Sequence, residues 1–475
     1  MTTLVRTARL PEVLRAAGLT EAASAAIGAW RDDPDWVRAR RAEGWEAWLD
    51  IPMPTKTTEG WRRSDLRWLD LGSVRPAAEA PERVAQVGDL PRELREQLVQ
   101  FAEEGGLLIQ QDGHTVFGEI RTALHEHGVI LTDIHTALRE HRSLLEERFM
   151  NLVPARWQPG VPSNNGKFEA LNAAFFNGGA FLYVPPDTSI TIGDPAGNGR
   201  AIPLPLRTVF WAADPRAGFF PRSVIILDRG SRLTFVEEYR SVEAPPGAPP
   251  VFGAAVTEVY VGDGARLDYV TIQEWSQSTG GFLTERVRLG RDAFVNWVIV
   301  DLGGLYSRVT ADVLLGGPGT RAELLGLAVG EKNQVFDVHT LQDHMSPFTD
   351  SDQLFKTALR DRARLAYEGL IDIRPGSYAS NGYQANKNLL LDDTAKADSI
   401  PMLKINDNDV RCTHSSASGP VEEHHVYYLM SRGLTRPQAE RLVIQGHFEP
   451  VIERIGVEEL KDPIRTAVDR RIGER

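Results

Sequence analysis

The chain has one cysteine, Cys412, among its 475 residues. A single thiol cannot build an internal disulfide framework, so we expect a protein of the reducing cytoplasm. No apolar run approaches the roughly 20 residues that a helix needs to span a bilayer. Residues 1–6 lack the apolar core of a signal peptide. We therefore expect no membrane association.

The chain also has fewer basic than acidic residues. The 53 lysines and arginines are outnumbered by 65 aspartates and glutamates, which gives a net charge of −12 and a pI near 5.5. A protein that binds nucleic acid or an anionic membrane normally presents excess positive charge to the phosphates. We therefore expect neither partner.

Several local signatures of enzymes are missing. The sequence contains no Gly-x-x-x-x-Gly-Lys-Ser/Thr loop, no Gly-x-Ser-x-Gly elbow and no His-Glu-x-x-His helix. No local motif therefore predicts hydrolysis of nucleotides, esters or peptides. The length leaves room for roughly two to four domains.

Residues 1–160 are predicted to form a mostly helical N-terminal region. Helical spacing returns from residue 91 to about 151, with one short extended piece at residues 107–109. Within the segment 59–66, we interpret Trp61 as a packed tryptophan beside a solvated arginine pair. Four tryptophans at amphipathic spacing support the helical prediction: Trp30, Trp36, Trp45 and Trp48.

Residues 161–417 are rich in short β-type runs separated by Gly, Pro and Asp. A weak repeat runs through this region. Each copy has a turn residue, then a small or polar residue, then alternating apolar and polar positions, and the copies are spaced as in solenoids. Stacked coils would bury the apolar faces that one coil leaves exposed, so the pattern favours a parallel β-helix. A β-sandwich is the competing mainly β architecture. The copies begin at Gly230, Gly264, Asp292 and Gly319, with a poorer one at Arg362.

Residues 418–475 are predicted to form a C-terminal helical region. Thr435 and Gln438 form a capping-box pattern at the start of one helix. The last helix carries an apolar stripe that would pack on the solenoid end or on a partner. The stripe consists of Leu460, Ile464 and Val468.

Cys412 and His414 are two residues apart, so in an extended strand their side chains share one face. Thiolate and imidazole are ligands for zinc, copper and iron–sulfur clusters. A zinc or cluster site takes about four protein ligands, and no second cysteine exists to complete the set. The missing ligands would be distant side chains or groups on a second protein. The alternative is a buried small apolar residue at 412 and an ordinary histidine at 414.

His339 and His344 are five residues apart, a spacing that fits neither one helix face nor one strand face. We expect a turn between them.

The C-terminal half carries several spaced elements in a fixed order. They are Asn386-Lys387-Asn388-Leu389-Leu390-Leu391, Asp409-Val410-Arg411-Cys412-Thr413-His414 and Tyr427-Tyr428-Leu429-Met430-Ser431-Arg432-Gly433. Together they resemble the SufB/SufD family of iron–sulfur cluster assembly proteins. The Cys412-x-His414 pair is similar to the SufD form, whereas SufB typically has a Glu-His-Glu-like run and a further cysteine near the position of Asn386.

The resemblance implies a right-handed parallel β-helix between helical ends. It implies a scaffold that is not itself an enzyme, in a complex with a SufB-like sister chain. Cys412 and His414 would lie at the interface of the two chains, beside a transient, shared iron–sulfur cluster. It also implies that a SufC-like ATPase supplies the nucleotide chemistry, so that this chain binds no nucleotide. Flavin binding stays open. The implied ATPase-docking residues are Tyr427, Tyr428, Arg432 and Gly433.

Two alternatives remain at this stage. A SufB-like scaffold could act as a homodimer without a sister chain. A β-helix enzyme acting on carbohydrate would need paired carboxylates in a groove, and Asp343, Asp350 and Asp352 are the candidates. Polysaccharide enzymes of this shape are usually secreted, which the opening residues do not indicate.

Overall fold

The computed structural model describes residues 10–96, 98, 104–156, 166–192 and 202–473. Residues 1–6, on which the signal-peptide expectation depends, and the predicted boundary between residues 160 and 161 lie outside the described residues. None of the helices in the described ranges has the length and apolar character needed to cross a membrane.

The N-terminal region mixes helices and strands. The stretch 91–151, predicted to be helical around one extended piece, contains three strands. Asp112 and Gly113 both have positive φ and turn the first of these strands into the second, so the Asp-Gly pair is the hairpin signal in the sequence. The elements are α1 Glu12–Arg15, α2 Glu21–Trp30, α3 Asp35–Asp50, a 3-10 turn Val87–Asp89, α4 Arg92–Arg95, β1 Gly106–Gln111, β2 His114–Ile120, α5 Thr122–Glu126, β3 Ile130–Asp133, α6 Ile134–Glu140, α7 Arg142–Leu145 and α8 Lys167–Phe175.

The core is a parallel β-solenoid of about seven turns, which confirms the predicted fold class over the β-sandwich. Each turn contributes one strand to each of two facing sheets. The strands are β4 Ala180–Val184, β5 Thr191–Ile192, β6 Ile202–Pro203, β7 Leu206–Ala212, β8 Arg222–Leu227, β9 Arg232–Ser241, β10 Val251–Val261, β11 Arg266–Glu274, β12 Thr279–Leu289, β13 Phe294–Asp301, β14 Tyr306–Leu315, β15 Arg321–Gly330, β16 Val335–His344, β17 Asp350–Leu359, β18 Arg364–Ile373, β19 Ser380–Leu390, β20 Lys396–Ile405 and β21 Val410–Gly419.

The two large sheets have regular orders. The first runs β2-β1-β7-β9-β11-β13-β15-β17-β19-β21, and the second runs β20-β18-β16-β14-β12-β10-β8-β4-β3. Pairing is parallel throughout except at β1–β2 and β3–β4, which are antiparallel. Antiparallel strands therefore close the N-terminal end of each sheet. β5 and β6 form a separate two-stranded sheet.

The copies of the sequence repeat fall on successive, aligned strands of the first sheet. The first four copies enter β9, β11, β13 and β15 at aligned positions. Their turn residues have positive φ, the conformation that favours glycine. The small residue that follows is buried at each corner, where a large side chain has no room. The fifth copy, at Arg362, leads into β18 of the second sheet.

The N-terminal segment at residues 59–66 is anchored to the second sheet. Trp61 is buried, and the Arg308 guanidinium lies 3.8 Å from its ring centroid. The Ser64 hydroxyl donates a hydrogen bond to buried Asp337. Arg62 and Arg63 are exposed, which confirms a packed tryptophan beside a solvated arginine pair.

Three helices complete the chain. The capping box of Thr435 and Gln438 is present, as predicted. The apolar stripe of the last helix packs on the outer face of the first sheet rather than on the end of the solenoid. Together with α10 it forms one apolar cluster with residues of β9 to β17. The helices are α9 Glu423–Ser431, α10 Arg436–Ile452 and α11 Glu458–Ile472.

Candidate functional site

Cys412 and His414 lie on β21, the last strand of the first sheet. Cys412 is in register with Gly382, and His414 with Gln384. Residues in register on parallel strands point to the same side of a sheet. The strand therefore places the thiol and the imidazole on one face, as the two-residue spacing predicted.

That face is the lumen of the solenoid. The column that ends at Cys412 and the column that ends at His414 both begin with apolar residues of the central core. Each becomes polar over the last turns, where the lumen approaches its open end. The columns are Leu233, Leu267, Val295, Ala322, Ser351, Gly382, Cys412 and Phe235, Tyr269, Trp297, Leu324, Gln353, Gln384, His414.

A hydrogen-bonded network spans the lumen below the pair. The Gln353 amide donates to Thr340 Oγ1 at 2.7 Å and to the Tyr367 hydroxyl, both on the opposite sheet. Gln342 donates to Gln353 Oε1 at 2.6 Å. Gln353, in the column under His414, is thus bonded to three side chains of the opposite sheet, which fixes the shape of the lumen there.

The surroundings of Cys412 explain the glycine beneath it. A Cβ atom at Gly382 would lie 3.3 Å from Cys412 Sγ and 3.0 Å from Ile371 Cγ2, so the missing side chain makes room for the thiol. Cys412 is half-buried, and burial raises its pKa. A thiol with a raised pKa is mostly protonated, whereas a metal ligand must be the thiolate. His414 is exposed.

The last turn of the solenoid is open. Over the described residues, β21 pairs only with β19, and β20 only with β18. The outer backbone groups of both strands therefore lack strand partners, and most of their side chains are exposed or half-buried. Solenoids normally cap such ends, since an uncapped edge pairs readily with another strand.

The predicted ATPase-docking residues lie on and just after α9. This helix packs against α10, and Val426 is its only buried residue. Tyr427 is 75% exposed and Tyr428 is 56% exposed. The Arg432 guanidinium donates to the Tyr428 hydroxyl at 3.2 Å. Gly433, with φ of 98°, ends the helix.

The other candidate residues do not join this site. His339 and His344 lie on the continuous strand β16, so the expected turn between them is wrong: their odd spacing puts them on opposite faces. His339 contacts Asp337 at 2.7 Å, and His344 bonds to Ser351 Oγ at 2.8 Å. Burial lowers the pKa of His344 to about 4.

The carboxylates suggested for carbohydrate chemistry do not form a facing pair. Asp343 is on the second sheet, where it accepts two hydrogen bonds from Arg374. Asp350 and Asp352 are on the first sheet, and Asp352 is paired with Arg454 at 3.0 Å. Two of the three carboxylates are therefore already neutralised by arginines.

Two buried acids in the lumen were not foreseen from the sequence. The Tyr269 hydroxyl lies 2.5 Å from Glu237 Oε2 and 2.5 Å from Glu285 Oε1. A phenol has one proton to donate, so the second contact requires a protonated carboxyl group. Burial and the charge of Glu237 raise the pKa of Glu285 to about 8. The alternating pattern of β9 and β12 resembles that of any half-buried strand, and only the stacking of the two sheets brings these acids together.

One cluster of ligand-type atoms was also missed. Glu422, His424 and His425 offer ligand atoms that lie within 4.8 Å of one another, and over the described ranges no other group of three or more does so. Cys412 and His414 are not part of it. The adjacent histidines were visible in the sequence, but their convergence on Glu422 was not.

Comparison with known proteins finds similarity to iron–sulfur cluster assembly proteins. The model described as "SUF system FeS cluster assembly, SufBD core domain" matches residues 210–447, half of the chain. The chain is 29% identical over 447 residues to the iron–sulfur cluster assembly protein SufD of Bacillus subtilis, covering 93% of this chain and 95% of the relative. It is 26% identical over 449 residues to an iron–sulfur cluster assembly SufBD family protein of Staphylococcus epidermidis, covering 93% and 90%.

Proposed function

The chain belongs to the SufBD family of iron–sulfur cluster assembly proteins, and on this premise we propose that it is a SufD-like, non-catalytic scaffold subunit. Its partners are a SufB-like sister chain and a SufC-like ATPase, and its location is the cytoplasm. Nucleotide hydrolysis belongs to the ATPase. The domains of this scaffold are residues 1–160, the solenoid 161–417 and the docking region 418–475.

The observation that carries the proposal is the open last turn with Cys412 and His414 facing the lumen. The unpaired backbone groups of β20 and β21 suit pairing with strands of a sister chain. Such pairing would bring the partner's side chains to the mouth of the lumen. It would thereby supply the ligands that this chain lacks for a transient, shared iron–sulfur cluster.

His414 is the residue that we assign to metal entry or direct ligation, with Cys412 beside it. The exposed imidazole offers a lone pair without prior loss of a proton when it is neutral. The half-buried thiol must first lose its proton, and a bound metal ion favours that loss. We therefore expect Cys412 to act after metal has arrived.

The C-terminal helices connect this end of the solenoid to the ATPase. α10 and α11 are packed firmly on the outer face of the first sheet, whereas α9 presents its two tyrosines to solvent. Dimerisation of the ATPase subunits on ATP binding would pull on these helices and open the interface between the sister chains. Opening would expose Cys412 and His414.

The test is co-expression with SufB-like and SufC-like partners, followed by anaerobic purification and an ultraviolet–visible spectrum. We expect the complex with His414→Ala to remain intact and to lose iron–sulfur absorption. His125→Ala, which removes an exposed imidazole from α5, is the matched control and should keep the absorption. Unchanged absorption in His414→Ala would refute the metal role, and dissociation of the complex would make His414 structural.

The homodimer alternative is tested by measuring the molar mass of the chain purified alone and with a co-expressed sister chain. A heterocomplex that forms at the expense of the homodimer supports the sister-chain interface. A homodimer that persists and carries the cluster itself would contradict it.

A further inference from the structure

Glu422, His424 and His425 form a compact group where the chain leaves β21 and enters α9. Glu422 Oε2 lies 3.2 Å from His424 Nε2 and 3.5 Å from His425 Nδ1. The two imidazole centroids are 4.0 Å apart. All three side chains are more than half exposed, so an ion can reach them from solvent.

The two separations between Glu422 and the imidazole nitrogens match the spacing of neighbouring ligands in a metal site, and the imidazole ligand atoms lie within 4.8 Å of each other. Ligand bonds of about 2.0–2.2 Å at tetrahedral angles put neighbouring ligand atoms roughly 3.3–3.5 Å apart. Over the described residues, neither ring donates an aligned hydrogen bond to the Glu422 carboxylate, so both contacts are ion-pair distances only. Glu422 also makes no side-chain cap to α9. The three ligand atoms are thus held together by charge contacts alone, an arrangement that a shared cation would also suit.

We propose that Glu422, His424 and His425 bind one divalent first-row transition-metal ion. Two imidazoles and one carboxylate are the ligand set of open zinc sites and of non-haem ferrous sites. Three protein ligands leave at least one position for water or for a donor from another protein. The site is separate from Cys412 and His414, so it stands whether or not those residues meet a cluster.

A bound ion would also stiffen α9. Glu422 occupies the N-cap position and His424 and His425 lie in the first turn, so one ion ties the entering chain to the helix. α9 buries only Val426 and has no side-chain cap, and its first turn is tied to α10 by the ion pair of Glu423 with Arg436, so a metal ion would add a second tie. The partial positive charge of a helix N-terminus opposes a cation, and the Glu422 carboxylate offsets that opposition. The metal would thereby order the segment that presents Tyr427 and Tyr428.

The experiment is anaerobic titration of the untagged full chain with Co²⁺, followed by its d–d absorption and by displacement with Zn²⁺. We expect one saturable site per chain. Since loss of even an outer-shell partner lowers metal affinity about 10- to 100-fold, His424→Ala/His425→Ala should lower it at least about 100-fold. The double variant His125→Ala/His127→Ala removes two other exposed imidazoles and is the matched control.

Amide hydrogen exchange, measured with and without Zn²⁺, gives a second readout. Metal should protect the amides of α9 in the wild type, and it should not protect them in the His424→Ala/His425→Ala variant. Absence of saturable Co²⁺ binding would overturn the proposal, as would equal loss of affinity in both double variants. The variant Cys412→Ser/His414→Ala distinguishes the two sites, because it should retain the Co²⁺ absorption. Loss of that absorption would mean that the ion binds at Cys412 and His414, which would overturn the proposal.

Discussion

Glu285→Gln should stabilise the protein increasingly as pH rises through neutrality. Glu285 is fully buried in the lumen, and its pKa is raised to about 8 from an ordinary 4.5. Between these values the folded protein holds a proton that the unfolded chain has released. Folding therefore takes up a proton, and the stability contributed by this group falls with rising pH until it levels off above the folded pKa.

The size of the effect follows from the shift. Each pH unit within the window costs about 1.4 kcal/mol, so the full shift amounts to about 5 kcal/mol above the folded pKa. Glutamine has nearly the same shape as a protonated glutamate and, like it, offers one oxygen acceptor and one donor to Thr271 and Tyr269, the two neighbours of Glu285, but it does not titrate. Relative to the wild type, the variant should gain about 2 kcal/mol between about pH 6 and about pH 7.5.

Urea denaturation followed by tryptophan fluorescence measures this difference. Asp112 and Asp301, whose pKa values burial raises to about 6 and about 7, titrate in the same window. Their contributions cancel when the variant is compared with the wild type at each pH. Glu46→Gln on α3 removes an exposed carboxylate and controls for the change in net charge. Stability profiles that stay parallel for wild type and Glu285→Gln would refute the protonated lumen pair.

Two further predictions concern the open end and α9. Gly382→Ala should push the Cys412 thiol toward solvent, because the new Cβ would lie 3.3 Å from Sγ, and the thiol should then react severalfold faster with a thiol reagent. The control Gly419→Ala, whose Cβ meets nothing within 4 Å, should leave the rate unchanged. Equal rates in both variants would contradict the close contact. The double change Tyr427→Ser/Tyr428→Ser should alter the free energy of unfolding by no more than about 0.5 kcal/mol, since both rings are exposed. It should nevertheless reduce co-purification of the SufC-like ATPase. Retention of the ATPase at the wild-type level would count against docking through α9.

The local repeat of turn and apolar residues predicted much of the fold, because each coil of the solenoid is one short stretch of chain that packs only on the coils next to it. The turn residues at Gly230, Gly264, Asp292 and Gly319 mark successive corners of one sheet, and their spacing is the length of one coil. The poorer fifth copy, at Arg362, marks a corner of the second sheet instead. The extended piece predicted at residues 107–109 lies in β1, whereas β2 and β3 were missed because strand pairing overrode the helical spacing there.

The candidate site divides in the same way. By itself, the sequence determined that Cys412 and His414 share a strand face and that no further cysteine completes a ligand set, because alternation and composition are properties of the chain alone. Only the tertiary structure decided that this face is the lumen, that the last turn is open, and that Glu237 meets Glu285 and Glu422 meets two histidines. Those facts depend on the stacking of coils and on the path of a turn, which bring together residues that no local periodicity relates.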